Sequence, residues 1–233
     1  MNNRNKNKFF ILISPKKITL AVLNENNEII FDKNLFADEK TYFIDFDDLK
    51  KFLDQNIIFL EKKFSQYIED INLLIDHNDF VTIDVSSIYN FEGKLNQFSN
   101  SSNYLVLIND YVIKNTSNHN LIHMIINKFI IDGKEYLSIP DNSDFKNVFF
   151  EIKFIFLKTS TIQQLKKIFA KYEISIKNIS YYNYVKDFKI NYSDNLFGLT
   201  NKLLNGLNPK EISFKKRSYQ KQSFFEKFFN FFK

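Results

Sequence analysis

The sequence predicts an α+β fold, and three observations predict it. Runs rich in strand formers open the chain at Phe9–Ser14 and Ile18–Leu23. A long stretch, Asp45–Asp70, repeats apolar residues at three- and four-residue spacing, the period of a helix with one buried face. A second such stretch has Ile162, Leu165, Ile168, Phe169 and Tyr172 as its buried face. It lies between the apolar runs Val148–Leu157 and Ile174–Ile179.

Taken in order, residues 1–8 are polar and basic and read as a disordered arm. Asn24–Glu28 is a turn after the first two strands, and Ile29–Phe31 resumes an apolar run, which makes a short meander. In Asp45–Asp70 the repeating residues are Leu49, Phe52, Leu53, Ile57, Leu60, Phe64, Tyr67 and Ile68. Asp45 is its cap, and Asp48 suits the positive end of the helix dipole. Ile71–Ile75 and Val81–Val85 are strand-like and are divided by Asp76-His77-Asn78-Asp79. Phe91–Asn103 is polar and loop-like, and Tyr104–Ile113 reads as a short helix. Asn120–Asn127 and Lys128–Ile131 are strand-like and end at the turn Asp132-Gly133.

Val148–Leu157 is so apolar that a central strand is expected. Ser160 and Gln163 have capping-box spacing at the start of the second helix. Beyond Lys189 the periodicity fades. Leu196–Leu207 fits one short helix, stopped by Asn208-Pro209, and Lys210–Gln222 reads as a basic linker.

The last residues carry the strongest functional signal. Wound as a helix at about 100° per residue, residues 223–233 place Phe224, Phe225, Phe228, Phe229, Phe231 and Phe232 on one arc. Glu226, Lys227, Asn230 and Lys233 take the other side, and Ser223 with Glu226 makes a capping box. Lys215, Lys216, Arg217 and Lys221 lie just upstream. From Pro209 onward seven basic residues stand against Glu211 and Glu226, an excess equal to the formal +5 of the whole chain. A basic run beside an aromatic helical face is the chemistry of a membrane-surface anchor. Anionic lipid attracts each such basic residue by about 1 kcal/mol, and each fully buried Phe adds about 1.5–3 kcal/mol. Partial insertion, and the marginal stability of so short a helix, make the binding reversible. A basic tail alone would also serve nucleic acid, but six phenylalanines on one face select lipid, so no nucleic acid is expected.

Composition narrows the rest. At 233 residues, 44% hydrophobic and 25% charged, the chain suits one sizeable core with appendages. It has no cysteine, which excludes disulfides and thiol chemistry and fits a reducing compartment. Phe9–Leu23 is interrupted by Pro15, Lys16 and Lys17, too early for a membrane span and without the order of a signal peptide. Gly93, Gly133, Gly198 and Gly206 are too scattered for a phosphate cradle. His119 and His123 are four apart, but in extended chain that is about 13 Å, beyond shared chelation of a metal. No catalytic residue, metal or cofactor is expected.

The run from Leu121 to Lys186 resembles the bacterial cell-division family FtsA. The likeness is to the strand-helix-strand-strand subdomain inserted in that family's actin-like fold. Leu121 and His123, Ile131 through Gly133, and Pro140 match the family's Leu-x-His, its Asp-Gly turn and its x-Pro in order. The helix Asp45–Asp70 and the run Ile71–Ile75 resemble that subdomain's opening. Phe9–Leu23 looks like the family's N-terminal hairpin, and Lys210–Lys233 looks like its linker and amphipathic membrane helix.

The implied organisation is a disordered arm (1–8), a residual actin-like hairpin (9–36) and an FtsA-type α+β subdomain (37–188). A basic linker with a short helix (189–222) and the membrane-binding helix (223–233) follow. Where the family has a phosphate-contacting Asp-x-Gly, this chain has Leu12 and Ser14. An apolar side chain cannot hold a hydrated metal, so the resemblance implies that nucleotide binding is lost. It implies a non-catalytic, peripheral adaptor on the cytoplasmic face of the membrane at the division site. Its partners would be other divisome proteins and further copies of itself. FtsZ, by the same resemblance, binds chiefly a subdomain that this chain lacks. A pilus or secretion assembly platform of the PilM type is the first alternative, and a nucleic-acid-binding protein that uses the basic tail is the second.

Overall fold

The computed structural model describes residues 7–37, 46–90, 98–136, 147–189 and 195–212. The fold is mixed α+β and holds two sheets. The first has five strands: β1 (Lys8–Ile13), β2 (Lys17–Leu23), β3 (Ile29–Phe36), β4 (Asp70–Ile75) and β9 (Ser175–Tyr181), in the order β3-β2-β1-β4-β9. β1 runs antiparallel to β2 and parallel to β4, and β9 is parallel to β4. β1 therefore lies at the centre, which explains its unbroken apolar run: both of its faces are buried.

On one face Phe9, Ile11 and Ile13 meet α1 (Phe46–Phe64) and α3 (Thr159–Ala170). Leu49, Phe52, Leu53, Ile57 and Leu60 are buried as the periodicity of α1 predicts. On the other face Phe10 and Leu12 meet α4 (Tyr182–Asp187) and α5 (Leu196–Leu204).

Between β4 and β9 the chain builds a second unit. It comprises β5 (Phe80–Asn90), α2 (Phe98–Asn115), β6 (His119–Ile131), β7 (Lys134–Tyr136) and β8 (Asn147–Lys158). Its four strands run antiparallel in the order β5-β8-β6-β7. β8 is central, as its composition predicts. Phe150, Ile152, Phe154 and Phe156 are packed with Ile108 and Val112 of α2. The strands that leave and rejoin the first sheet are tied at their base. The Lys158 backbone N–H donates to the Asp79 carbonyl at 3.2 Å, and the Thr161 hydroxyl bonds the Asp79 carboxylate.

Several sequence expectations are corrected. The N-terminal hairpin does not stand by itself, because β3, β4 and β9 extend it into a five-stranded sheet. The hairpin and the region 37–188 are thus not separate units: β4 and β9 belong to the hairpin's sheet, and only Phe80–Lys158 forms the inserted one. α1 ends at Phe64, where Ser65 turns to φ 48° and Tyr67 and Ile68 leave the helix. α2 begins inside the stretch read as a loop. Asn120–Asn127 and Lys128–Ile131 are one strand, with a register shift between Ile126 and Lys128.

The Ser160/Gln163 box does not form: Lys158 holds the N-cap position, and no side chain caps it. The Thr159 and Thr161 hydroxyls are used instead, Thr159 donating to Asn120 Oδ1 at 2.7 Å. α4 was missed, being only six residues long. Lys210–Ile212, read as linker, packs against β6. Asp45, Pro140 and the terminal helix 223–233 lie outside the described residues.

α5 is placed by a close backbone approach. Asn195 caps it, accepting from the Phe197 N–H at 3.0 Å, and donates from Nδ2 to the Asn27 carbonyl at 3.1 Å. A Cβ on Gly198 would stand 2.8 Å from that same carbonyl oxygen. Asn27 sits in a tight turn at φ 64°, so the backbone there has little room to yield. Gly198→Ala is expected to destabilise the protein by about 1–3 kcal/mol, seen as a lower urea midpoint with unchanged slope.

Candidate functional site

The two sheets meet at a seam built around His123, which is 4% exposed. β6 carries it, and a register shift between Leu121 and His123 departs from simple alternation there. His123 Nε2 accepts from the Tyr181 backbone N–H at 3.1 Å, at the end of β9. A backbone N–H can only donate, so the ring proton sits on Nδ1. From there it is donated to Glu211 Oε1 at 2.6 Å. The other carboxylate oxygen accepts from the Tyr184 hydroxyl at 2.5 Å. That hydroxyl accepts in turn from Asn208 Nδ2 at 3.0 Å. The His123 and Tyr184 rings lie 4.4 Å apart.

The backbone repeats this convergence. The Ile126 N–H donates to the Lys210 carbonyl at 2.9 Å, and the Ile212 N–H donates to the Met124 carbonyl at 2.8 Å. Glu211 pairs antiparallel with Ile125. The segment after α5 therefore augments the edge of β6 and delivers its carboxylate to the seam.

Burial works against the charge on Glu211. The hydrogen bonds from His123 and Tyr184 outweigh it and hold the carboxyl below its ordinary range. Burial, reinforced by Glu211, pushes the Tyr184 hydroxyl above its ordinary value. Both ring nitrogens of His123 and both oxygens of Glu211 are engaged within the protein. As arranged, the cluster positions elements and presents no free lone pair on the ring to a substrate or metal.

Beside it opens a cleft of about 490 Å³. Ile125, Ile155 and Phe188 give it apolar walls, while Lys153, Asp187 and Lys210 bring charge to it. Lys210 Nζ is itself anchored on the Asn127 carbonyl at 3.2 Å. The cleft thus joins apolar surface to charges of both signs, a combination suited to a protein segment or small ligand.

His123 was singled out in the sequence, as part of the Leu-x-His pattern and in the pair with His119. The two rings go to different partners, His119 Nδ1 lying 3.0 Å from the Ser117 carbonyl. Tyr184, Asn208 and Glu211 were not recognised as site residues. No local pattern marks them, and they meet His123 only through the tertiary fold. Leu12 is buried, in one apolar cluster with Phe197 and Leu203 of α5. The Ser14 hydroxyl closes the β1–β2 turn, donating to the Lys17 carbonyl at 2.9 Å. The tail residues Lys215, Lys216, Arg217, Lys221, Phe224, Phe225, Lys227, Phe228, Phe229, Phe231 and Phe232 lie outside the described residues.

No protein-family model matches the chain, and no curated protein matches it. Solved structures do resemble it. One is the PilM–PilN type IV pilus biogenesis complex, at 6% identity and TM-score 0.48, covering 78% of this chain and 49% of that one. Another is the cytoplasmic domain of EpsL, an inner membrane component of the type II secretion system of Vibrio cholerae. There the identity is 9% and the TM-score 0.36, over 77% of this chain and 57% of that one. A third is a Bacteroides thetaiotaomicron protein with an actin-like ATPase fold and unknown function, at 15% identity and TM-score 0.29, over 81% and 58% of the two chains. The chain spans about half the length of the first and less than two thirds of the other two. None of the three scores supports a whole-chain superposition, and none of the three proteins is described as a division protein. Among the described residues no helix is long and apolar enough to cross a membrane.

The seam makes a prediction with a sign. The folded pKa of Glu211 is depressed, so its contribution is fully present above the unfolded carboxyl value of about 4.3 and is lost as pH falls through the folded value. Glu211→Gln is expected to lower stability at neutral pH by about 1–3 kcal/mol. It should also flatten the loss of stability on acidification below about pH 4.5, measured by urea unfolding across pH.

Proposed function

We propose that the protein is a non-catalytic, membrane-associated assembly factor. Its body presents the seam cleft to a segment of a membrane-bound partner, and residues 213–233 hold it on an anionic membrane surface on the cytoplasmic side. The observation that carries this reading is the cleft itself. It lies where two sheets and the C-terminal segment converge, and its walls are fixed by a buried network whose polar groups are already paired. Such a site is preorganised for binding, with its buried polar groups spent on one another. The replacement of the Asp-x-Gly by a buried Leu12 and a turn-closing Ser14 supports the loss of nucleotide binding.

Two assemblies fit. One is a pilus or secretion platform, the setting named for PilM and EpsL. The other is the divisome, favoured by the order of Leu121, His123, Asp132-Gly133 and Pro140 in the sequence. In the divisome reading, self-association would turn weak single-tail anchoring into strong binding through avidity.

The membrane part is tested by sedimentation with phosphatidylglycerol-containing vesicles. The intact chain is expected to pellet, and added salt should weaken it. A chain truncated after Gln222 and a Phe228→Glu/Phe229→Glu variant are expected to stay in solution. Equal behaviour of all three would remove the anchor. A fluorescent fusion in cells separates the two assemblies: a septal band selects the divisome, and its absence selects the platform. Lys153→Glu/Lys210→Glu is expected to weaken capture of the partner by an order of magnitude or more without moving the protein off vesicles.

A further inference from the structure

The outer surface of α1, the turn that follows it and β3 carries apolar side chains that the core does not use. Ile58 is 61% exposed, Phe59 50% and Tyr67 81%. Phe31 of β3 lies beside them, its ring 6.0 Å from that of Phe59. Lys63 Nζ stands 4.7 Å over the Phe31 ring and 5.9 Å from Phe59. Lys62 borders the shallow hollow between Ile58 and Tyr67. The alternation of β3 brings the exposed Lys33 to the side of Phe31. The one carboxylate among these helix positions, Glu61, also lines that hollow, where its Oε1 accepts from the Ile68 N–H at 3.0 Å and three lysines outnumber it.

We propose that this surface is a second membrane contact, which lays the α1–β3 side of the body on anionic lipid. Two lysines in the last turn of a helix suit its dipole, but the dipole gives no reason for Ile58, Phe59 and Tyr67 to stand in water. Protruding apolar side chains interleaved with lysines are the pattern of interfacial insertion. A peptide partner would call for a concave apolar groove, whereas the hollow between Ile58 and Tyr67 is lined largely by the polar Glu61, Lys62, Ser65 and Gln66. Lys33, Lys62 and Lys63 give the patch the sign that anionic headgroups attract. The proposal rests on the membrane association described above, and it adds a fixed orientation that a tail alone cannot give.

The test uses the full chain and vesicles of phosphatidylcholine with and without phosphatidylglycerol. Lys62→Gln/Lys63→Gln removes the charge, and Phe59→Ser added to that pair removes the apolar anchor as well. Circular dichroism melts establish that each variant is folded, and the charge-only pair suffices if the triple variant is not. Binding to anionic vesicles is expected to weaken roughly 30-fold in the charge pair, from about fivefold per basic residue. Binding to phosphatidylcholine alone should fall further when Phe59 is changed. The Phe228→Glu/Phe229→Glu tail variant is measured in parallel. If the patch variants weaken binding and the tail variant does not, the patch stands and the tail anchor falls. If the patch variants bind like the unmodified chain, the proposal is overturned whether or not the tail matters. If the unmodified chain binds neither vesicle, both readings fail.

Discussion

A half-buried carboxylate between two sheets, paired to a buried histidine, is the constraint on which the rest of the structure depends. Glu211 comes from the segment after α5, His123 from the inserted sheet, and Tyr184 from the helix that follows the last strand of the first sheet. Removing a carboxylate from water is costly unless its oxygens are paired. Here both are, and the partner ring is oriented by a backbone N–H of the other sheet. The two sheets and the C-terminal segment are therefore held in one arrangement by groups that would each be unfavourable alone. The cleft beside them inherits its shape from that arrangement, because Ile125, Ile155, Phe188 and Lys210 lie on the same three parts of the chain.

The base of the inserted unit uses the same principle with weaker groups. His77 Nδ1 accepts from the Asp79 N–H at 3.1 Å, the Asp79 carbonyl accepts from Lys158, and the Asp79 carboxylate takes the Thr161 hydroxyl. One short polar turn thus fixes where the insertion leaves the first sheet and where it returns. These ties add to the apolar contacts of Leu157, Ile125 and Ile155 with the first sheet, which also hold the insertion. Because the seam and the base lie at different points, the unit is held against rotation as well as translation.

Much of the secondary structure was legible because burial is one-sided or complete in a regular way. The period of α1, the unbroken apolar run of β1 and the run of β8 each follow from how many faces are covered. Boundaries failed where local signals compete with tertiary contacts. Ser160 and Gln163 have the spacing of a cap, but the neighbouring threonines are used by Asn120 and Asp79. Lys210–Ile212 looks like linker because its burial depends on β6, more than eighty residues earlier. The extent of the first sheet was hidden for the same reason: nothing local in β9 announces that it lies beside β4, a hundred residues away. The site was less legible than the fold. His123 could be noticed, but Tyr184, Asn208 and Glu211 carry no motif, and Glu211 counted only as a charge that offsets the basic tail.

The body is rooted at Ile212, which is bonded to Met124 on the edge of β6, and the aromatic–basic tail follows from there. The exposed aromatic and basic patch of α1 and β3 belongs instead to the first sheet. A single anchor at one end of the chain would raise local concentration at a membrane without fixing which way the cleft points. A second contact on a different sheet converts that tether into an orientation. Two such attachments would act as linked weak sites, so neither would need to be strong and release would remain easy. For an assembly factor whose partner is itself fixed in the membrane, a fixed orientation matters more than affinity. It determines whether the seam cleft meets the partner's segment at all.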